Sequence, residues 1–209
     1  MKNFNSAEEL IPDLINIPTS STPEPDAVSY FTLEKQRKIY IDFEINENLT
    51  CIHRLIMRWN IQDAGLPPEE RRPIWIYIMS YGGSVDYCYM LIDAIKASTT
   101  PVYTVNIGMA SSAGGLIFIA GHKRFMTKSA HVLIHEGSAE MSGDAQKIMD
   151  ATDSYKKTLK KMKDFILENT DITSKELNKK RSNDWELDSD YCLSHRVCDQ
   201  VVSSLDEII

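Results

Sequence analysis

Residues 101–121 read PVYTVNIGMASSAGGLIFIAG, and this order of segments determines the fold class that we predict. The β-branched run PVYTVN favours a strand, and the apolar run LIFIAG predicts a short buried helix. Between them lies a serine corner (residues 107–115), in which Ser111 and Ser112 stand among glycines and alanines. A strand, a small-residue turn and a helix are typical of an α/β domain, which places its sites where strands end.

The same alternation continues on both sides of the serine corner. Strands are predicted over 39–44 and 74–79, and two more, KRFMT and AHVLIHE, follow the corner. Apolar residues at helical spacing predict helices over 46–65 and 85–98, and a long amphipathic helix over about 142–169. The chain is therefore predicted to be an α/β domain with a largely parallel sheet. The long helix would extend ~40 Å, so we expect it to project and to pack on another body.

Composition limits the classes of function. The chain has 209 residues with 43% hydrophobic content, enough for one compact domain, and its net charge of −7 argues against a nucleic-acid surface. No apolar run reaches the ~18 residues that span a bilayer, and the polar start MKNFNSAEEL lacks a secretory pattern. We expect a cytoplasmic protein without membrane contact, with a flexible tail over 1–27 and its domain over 28–209.

A serine corner can be structural or catalytic. Serine beside glycine is common at helix N-caps and in turns. A catalytic serine needs a base, a carboxylate that orients the base, and backbone N–H donors for the oxyanion. Two further stretches offer such groups: the glycine turn SYGGS (80–84), which follows a predicted strand, and the strand HVLIH, which ends at His135.

The order of these motifs resembles one known family. SxGG, GxASSAG, a strand ending in IH, a long helix and then DxxL resemble the ClpP family, the proteolytic subunit of the Clp protease, over roughly residues 35–205. The resemblance implies a ClpP/crotonase-type α/β fold of repeated β-β-α units with a projecting handle region at about 137–172. Counted from Gly108, the family's nucleophile motif assigns that role to Ser112, and Ser111 stands where the family usually has alanine.

The resemblance also implies the other groups of the site. The base would be His135 and the acid Asp184, with the neighbouring Asp188 and Asp190 as competing acids. The oxyanion donors would be the backbone N–H groups of Gly83 and Ala113.

The sequence departs from the family's pattern in two places. Glu136-Gly137 stands where the family typically has Gln-Pro, and Ser182-Asn183 replaces an acid–Arg pair that senses contact between rings. The departures leave open how two rings would communicate.

The implied activity is that of a self-compartmentalised serine endopeptidase that cuts unfolded polypeptides through an acyl-enzyme, without metal or cofactor. It would form a heptameric ring, with two rings stacked through the long helix and a hexameric AAA+ unfoldase of the Clp type as partner. Because the chain has no GxxxxGK[ST] loop, any use of ATP would belong to that partner. Trp75 and Tyr77 share one face of a predicted strand. They could pack in the core, or, as the resemblance implies, form a docking site for the unfoldase's loops.

Several alternatives stay open from the sequence. A catalytically silent ring subunit would not need the set Ser112, His135 and Asp184, and neither would a crotonase-type acyl-CoA enzyme. A phage capsid-maturation protease would share the fold, whereas a signal-peptide peptidase is disfavoured by the polar start. Metal binding is not expected, because His131 and His135 would lie ~13 Å apart on a strand.

Overall fold

The structure is a computed structural model that describes residues 25–137, 139–180 and 184–209. The chain divides into two units, Met1–Gln36 and Arg37–Ile209. In the first unit, the described residues form helix α1 (Pro25–Lys35). Of the predicted tail, residues 1–24 lie outside the described residues, and its last three residues begin α1.

The second unit alternates strands and helices, as the pattern predicts. Its strands are β1 (Lys38–Ile41), β2 (Ile74–Ser80), β3 (Val102–Ser111), β4 (Lys123–Thr127), β5 (His131–Ile134), β6 (Trp185–Asp188) and β7 (Gln200–Val202). Its helices are α2 (Leu49–Asp63), α3 (Val85–Ala97), α4 (Ala113–Ala120), α5 (Ala145–Asn169), α6 (Ser174–Lys180) and α7 (Ser189–Ser194). Short 3-10 helices cover Pro68–Glu70 and Leu205–Glu207.

The strands form one sheet in which parallel pairs dominate. The order is β1-β2-β3-β4-β7, all parallel; β5 adds a parallel pair with β3, and β6 pairs antiparallel with β5. This architecture confirms the predicted α/β class. Since the carboxyl ends of parallel strands share one edge of a sheet, the turns after β2, β3 and β5 are placed near one another.

Strand β3 has a different neighbour at each of its two halves. Tyr103–Asn106 pairs with β4, whereas Met109–Ser111 pairs with β5. Because of the second pairing, β3 continues through Ser111, beyond the predicted end of the strand. The serine corner is thus held between β5 and the start of α4.

The sheet carries apolar side chains on both faces. Along β2, Ile74, Ile76 and Ile78 are fully buried in the main core with residues of α2, α3 and α4. Each such side chain contributes about 1.5–3 kcal/mol through burial. The alternate positions, Trp75 and Tyr77, join a second, smaller cluster on the other face, as a strand period of two requires.

Helix α5 is only partly covered. At its N-terminus, the Asp144 side chain caps the helix by accepting a hydrogen bond from Lys147 N at 3.0 Å. Its 25 residues extend over ~37 Å, and its buried residues are Met162 and Ile166, near its end. In its first turns Ile148 and Met149 are 39% and 62% exposed.

The structure divides the predicted apolar face of α5 in two. We expected Ile148, Ala151, Tyr155, Leu159, Met162, Phe165 and Ile166 to be buried together in a ring–ring contact. The C-terminal members already pack against the core of their own chain. Of the N-terminal members, Ile148 and Ala151 are exposed, whereas Tyr155 is half-buried.

Candidate active site

Ser112 is a single residue between strand β3 and helix α4. Its backbone has φ 53° and ψ −122°, a conformation that residues other than glycine rarely adopt. Two hydrogen bonds hold it there: Ser112 N donates to Leu133 O at 2.8 Å, and Leu116 N donates to Ser112 O at 3.2 Å. Strain of this kind is maintained only where the surrounding structure fixes it, and it clusters at functional sites.

The glycine turn after β2 packs directly on this residue. A Cβ atom on Gly82 would lie 2.7 Å from Ser112 Cβ and 2.8 Å from Ser111 O, and the φ of Gly82 is +104°. On the other side, a Cβ on Gly115 would lie 3.0 Å from Ala110 O. The serine corner and the glycine turn therefore meet with no room for larger residues.

The two predicted oxyanion donors lie where these turns meet. Ile45 N donates to Gly82 O at 2.8 Å and Ser84 N donates to Ile45 O at 2.7 Å, whereas the N–H of Gly83 has no acceptor in the described part of the chain. The N–H of Ala113, in the first turn of α4, likewise has no acceptor among the described residues. A Cβ on Gly82 would be 3.2 Å from Ala113 N, so the two turns touch at that point. The two predicted donors thus lie near Ser112, with no acceptor for either N–H within the described ranges.

The two adjacent serines have different surroundings. Ser112 is half-buried, whereas Ser111 is only 5% exposed. The Ser111 hydroxyl is buried and has no hydrogen-bond partner in the described part of the chain. Ser112 is thus the serine whose side chain a substrate can reach.

His135 and Asp184 are brought together by the pairing of β5 with β6. The antiparallel register runs from His131↔Asp188 to Ile134↔Trp185, and the next pair along it is His135 and Asp184. Nδ1 of His135 lies 3.6 Å from Oδ1 of Asp184, and the side chains are 32% and 73% exposed. The predicted base and the predicted acid are therefore neighbours.

The two competing acids have other partners. Asp188 caps α7 by accepting from Tyr191 N at 2.8 Å, and its strand partner is His131. Oδ1 of Asp190 lies 2.5 Å from Nζ of Lys128, and both side chains are exposed. Among the three acids, Asp184 is the one beside His135.

Ser112 and His135 directly follow the adjacent strands β3 and β5, but no hydrogen bond joins their side chains among the described residues. Because Ser112 N donates to Leu133 O, His135 stands two residues, or ~7 Å of extended chain, beyond that contact and one residue past the end of β5. No hydrogen bond joins the Ser112 hydroxyl to the imidazole within the described ranges. Such bonds are often long in ligand-free sites and close when substrate is bound.

The cysteines do not offer a rival nucleophile at this site. Cys88 donates from Sγ to Ala113 O at 3.3 Å, and burial raises the pKa of its thiol to about 12. Burial also raises the pKa of the Cys198 thiol to about 11 and that of Cys192 well above its usual value. Cys51 is the one exposed cysteine among the described residues, and it lies on α2.

A cavity of about 310 Å³ opens next to His135. Its floor is apolar and comes from β5, α5 and α6: Ile134, Leu159, Met162, Ile166 and Leu177. Sequence reasoning missed this pocket, although its signal was the apolar spacing of 159, 162 and 166 along α5. From the sequence alone, those residues are predicted to lie in a contact between rings.

The predicted docking aromatics are enclosed to different degrees. Trp75 is half-buried, with ring centroids 5.1 Å from Tyr103 and 5.3 Å from Phe125. Tyr77 is 4% exposed, and its hydroxyl donates to Ile208 O. Trp75 is therefore the more accessible of the two.

The described residues contain no metal-binding cluster and no membrane-spanning helix. No group of three or more His, Cys, Asp or Glu side chains there is arranged to hold a metal ion. No helix in the same residues has the length and apolar character needed to cross a membrane.

The chain is similar to known proteins along most of its length. The family model for Clp protease matches residues 25–204. The chain is 31% identical over 133 residues to the ATP-dependent Clp protease proteolytic subunit 2 of Treponema pallidum, covering 63% of this chain and 67% of that protein. It is 27% identical to subunit 2 of Treponema denticola, with coverages of 82% and 84%. It is also 27% identical to the ATP-dependent Clp protease proteolytic subunit of Streptococcus mutans, with coverages of 84% and 89%.

Proposed function

The chain belongs to the Clp protease family, and from this membership and the geometry around Ser112 we propose that it is a serine-type peptidase, the proteolytic subunit of a Clp protease. The observation that carries the proposal is the convergence of a strained, accessible serine, two unused N–H groups and a His–Asp pair at one sheet edge. These are the components that acyl transfer requires.

In the proposed reaction, His135 acts as the general base. Asp184 faces Nδ1, so it favours the tautomer that carries a proton there and leaves Nε2 free to accept the proton of Ser112 Oγ. The oxygen attacks the peptide carbonyl, whose oxyanion is stabilised by the N–H groups of Gly83 and Ala113. The imidazolium then protonates the leaving amine, and the C–N bond breaks.

The second half of the reaction regenerates the enzyme. A water molecule gives a proton to His135 as it attacks the acyl-enzyme on Ser112, and the carboxylic product leaves as Ser112 Oγ recovers its proton. The apolar cavity beside His135 supports a peptide substrate, because it offers a pocket for one side chain next to the cleaved bond.

We further propose a heptameric ring, paired with a second ring through α5, and a hexameric Clp-type AAA+ unfoldase that delivers unfolded polypeptides. The names of the relatives include "ATP-dependent", while this chain lacks a phosphate-binding loop. The exposed apolar residues in the first turns of α5 support burial in a larger assembly. The cytoplasmic location stays a prediction.

Labelling with a fluorophosphonate probe tests the chemistry most directly. We expect one adduct per chain, on Ser112, and cleavage of short fluorogenic peptides without ATP. A folded chain that neither labels nor cuts would instead support the alternative of a catalytically silent ring subunit.

Mass measurement in solution tests the assembly. We expect a species near seven or fourteen copies of the 23.8 kDa chain. A clean monomer at micromolar concentration would contradict the ring.

A substitution at Trp75 tests the docking surface. Trp75→Ser should abolish degradation of a folded protein by the chain with its Clp-type ATPase, because it removes an apolar contact for the ATPase's loops. Hydrolysis of a small peptide should stay near its wild-type rate, and the unfolding midpoint should fall without loss of the folded state, because Trp75 packs on Tyr103 and Phe125 but is only half-buried. Loss of both activities through unfolding would show that Trp75 is a core residue.

A further inference from the structure

The cavity beside His135 has a charged rim above its apolar floor. Lys156, Lys160 and Lys163 of α5 line it, and among the described residues that do so Glu136 is the acid. The three lysines are spaced so that one face of the helix presents them together. The rim therefore carries an excess of positive charge over a surface that is otherwise apolar.

The three lysines differ in their partners. Nζ of Lys156 lies 2.9 Å from Oδ1 of Asp153. Nζ of Lys160 lies 2.5 Å from Oδ2 of Asp164. Neither of these carboxylates lines the cavity. These two lysines are exposed, and their ion pairs contribute little to stability.

Lys163 differs from both. It is half-buried, and its Nζ donates to Oδ1 of Asn178 at 2.9 Å. Asn178 also lines the cavity, and it is neutral. Lys163 thus holds a positive charge at the cavity wall without a carboxylate partner among the described residues.

We propose that this cavity accepts an acidic substrate side chain, glutamate in preference to the isosteric glutamine, and that Lys163 sets the preference. The methylene groups of a glutamate would lie on the apolar floor, and its carboxylate would reach the ammonium of Lys163. A charge-assisted hydrogen bond is stronger than a neutral one, and partial burial reduces its screening by water. The inference rests on the proposed function, since it assumes that peptides are cut at Ser112.

Peptide cleavage with matched substrates tests the preference. A series of internally quenched peptides would carry Glu, Gln or Lys in turn at each position flanking the cleaved bond. We expect one position at which the Glu peptide exceeds the Gln peptide in kcat/KM by about fivefold, with the Lys peptide slowest. Raising the salt concentration should reduce the ratio.

Two variants of α5 make the test specific to Lys163. Lys163→Glu should reverse the order, so that the Lys peptide is cut fastest, and Lys163→Gln should bring the Glu/Gln ratio near one. Lys157→Glu is the matched control, because it makes the same charge change on the same helix but lies on a groove outside this cavity. It should leave the ratio unchanged.

The outcomes separate this inference from the proposed function. Cleavage with equal rates for Glu and Gln at every position, or a ratio that Lys163→Glu does not alter, overturns the inference alone. Failure of probe labelling and of all cleavage overturns the proposed function. In that case fluorescence anisotropy with the Ser112→Ala variant still decides the charge preference, through the ratio of Kd values for the Glu and Gln peptides.

Discussion

The serine corner and the segment that carries Asp184 are held in different ways. Ser112 lies between a backbone hydrogen bond of 2.8 Å to Leu133 and a glycine turn that a single added methyl group would push into it. Asp184 lies just before β6, is 73% exposed, and approaches His135 only to 3.6 Å. One region is fixed by close packing of the backbone, and the other is positioned by strand register alone.

This difference predicts two kinds of mutational effect. At the serine corner, a substitution acts through shape, since any added atom displaces the backbone. At Asp184, a substitution that keeps the size of the side chain acts through charge. The side chain is exposed, so its replacement displaces no neighbouring group. Matched pairs of variants can separate the two effects.

Ser112→Ala should have the greatest effect, because it removes the proposed nucleophile. We expect peptide cleavage to fall by about a millionfold, to the level left by the oxyanion donors and binding alone. Probe labelling followed by peptide mapping measures the loss. If Ser111 carried the adduct in the wild-type chain, our assignment of the two serines would be wrong.

Asp184→Asn should reduce cleavage by about ten-thousandfold. The neutral amide keeps the size of the side chain but no longer stabilises the imidazolium. Steady-state kinetics on a short peptide measures the effect, and unfolding should be almost unchanged because the side chain is exposed. Asp190→Asn is the matched control, since that acid pairs with the exposed Lys128. A large loss in the control instead would assign the role to Asp190.

Gly82→Ala should reduce cleavage by about a hundredfold or more, comparable to the loss of one oxyanion donor. The new Cβ would lie 2.7 Å from Ser112 Cβ at a φ of +104°, so the serine corner must shift. The rate of fluorophosphonate labelling reports this shift at Ser112 itself. Gly65→Ala is the control, because an added Cβ there meets nothing within 4 Å. Equal labelling rates for the two variants would contradict the close packing described here.

Ser111→Ala should have the smallest effect. The Ser111 hydroxyl is buried without a partner among the described residues, so its removal relieves a desolvation cost. We expect activity close to wild type and a free energy of unfolding that is unchanged or higher by about 1 kcal/mol. Urea denaturation measures the change. A clear loss of stability would mean that this hydroxyl makes a hydrogen bond.

The elements that could be predicted from the sequence are those with a strong local pattern. The apolar runs of β2 and α4 and the periodic spacing of α3 and α5 all gave helices or strands close to their observed bounds. Helices α6 and α7 and strands β6 and β7 were not predicted, because each is seven residues or shorter and lies in a mainly polar stretch, whereas the equally short β1, β4 and β5 lie in β-rich or apolar runs. Elements of that length depend on tertiary contacts more than on local propensity.

The components of the site show the same division. Ser112 and His135 could be placed at strand ends from local pattern, whereas Asp184 was assigned only through the family's spacing. Its position beside His135 depends on β6, whose pairing with β5 joins residues about fifty positions apart. The cavity was missed for a related reason, since its floor combines β5, α5 and α6.

The antiparallel pairing of β5 with β6 also determines how the site would respond to insertions and deletions. Side chains alternate between the faces of a strand, so a slip of one residue in β6 would bring Trp185 opposite His135 and would remove the acid. A slip of two would bring Glu186, which is again a carboxylate, because acids occupy alternate positions at 184, 186 and 188. The pairing of β6 with β5 therefore tolerates a register shift of two residues better than a shift of one. Which acid faces His135 depends on that register.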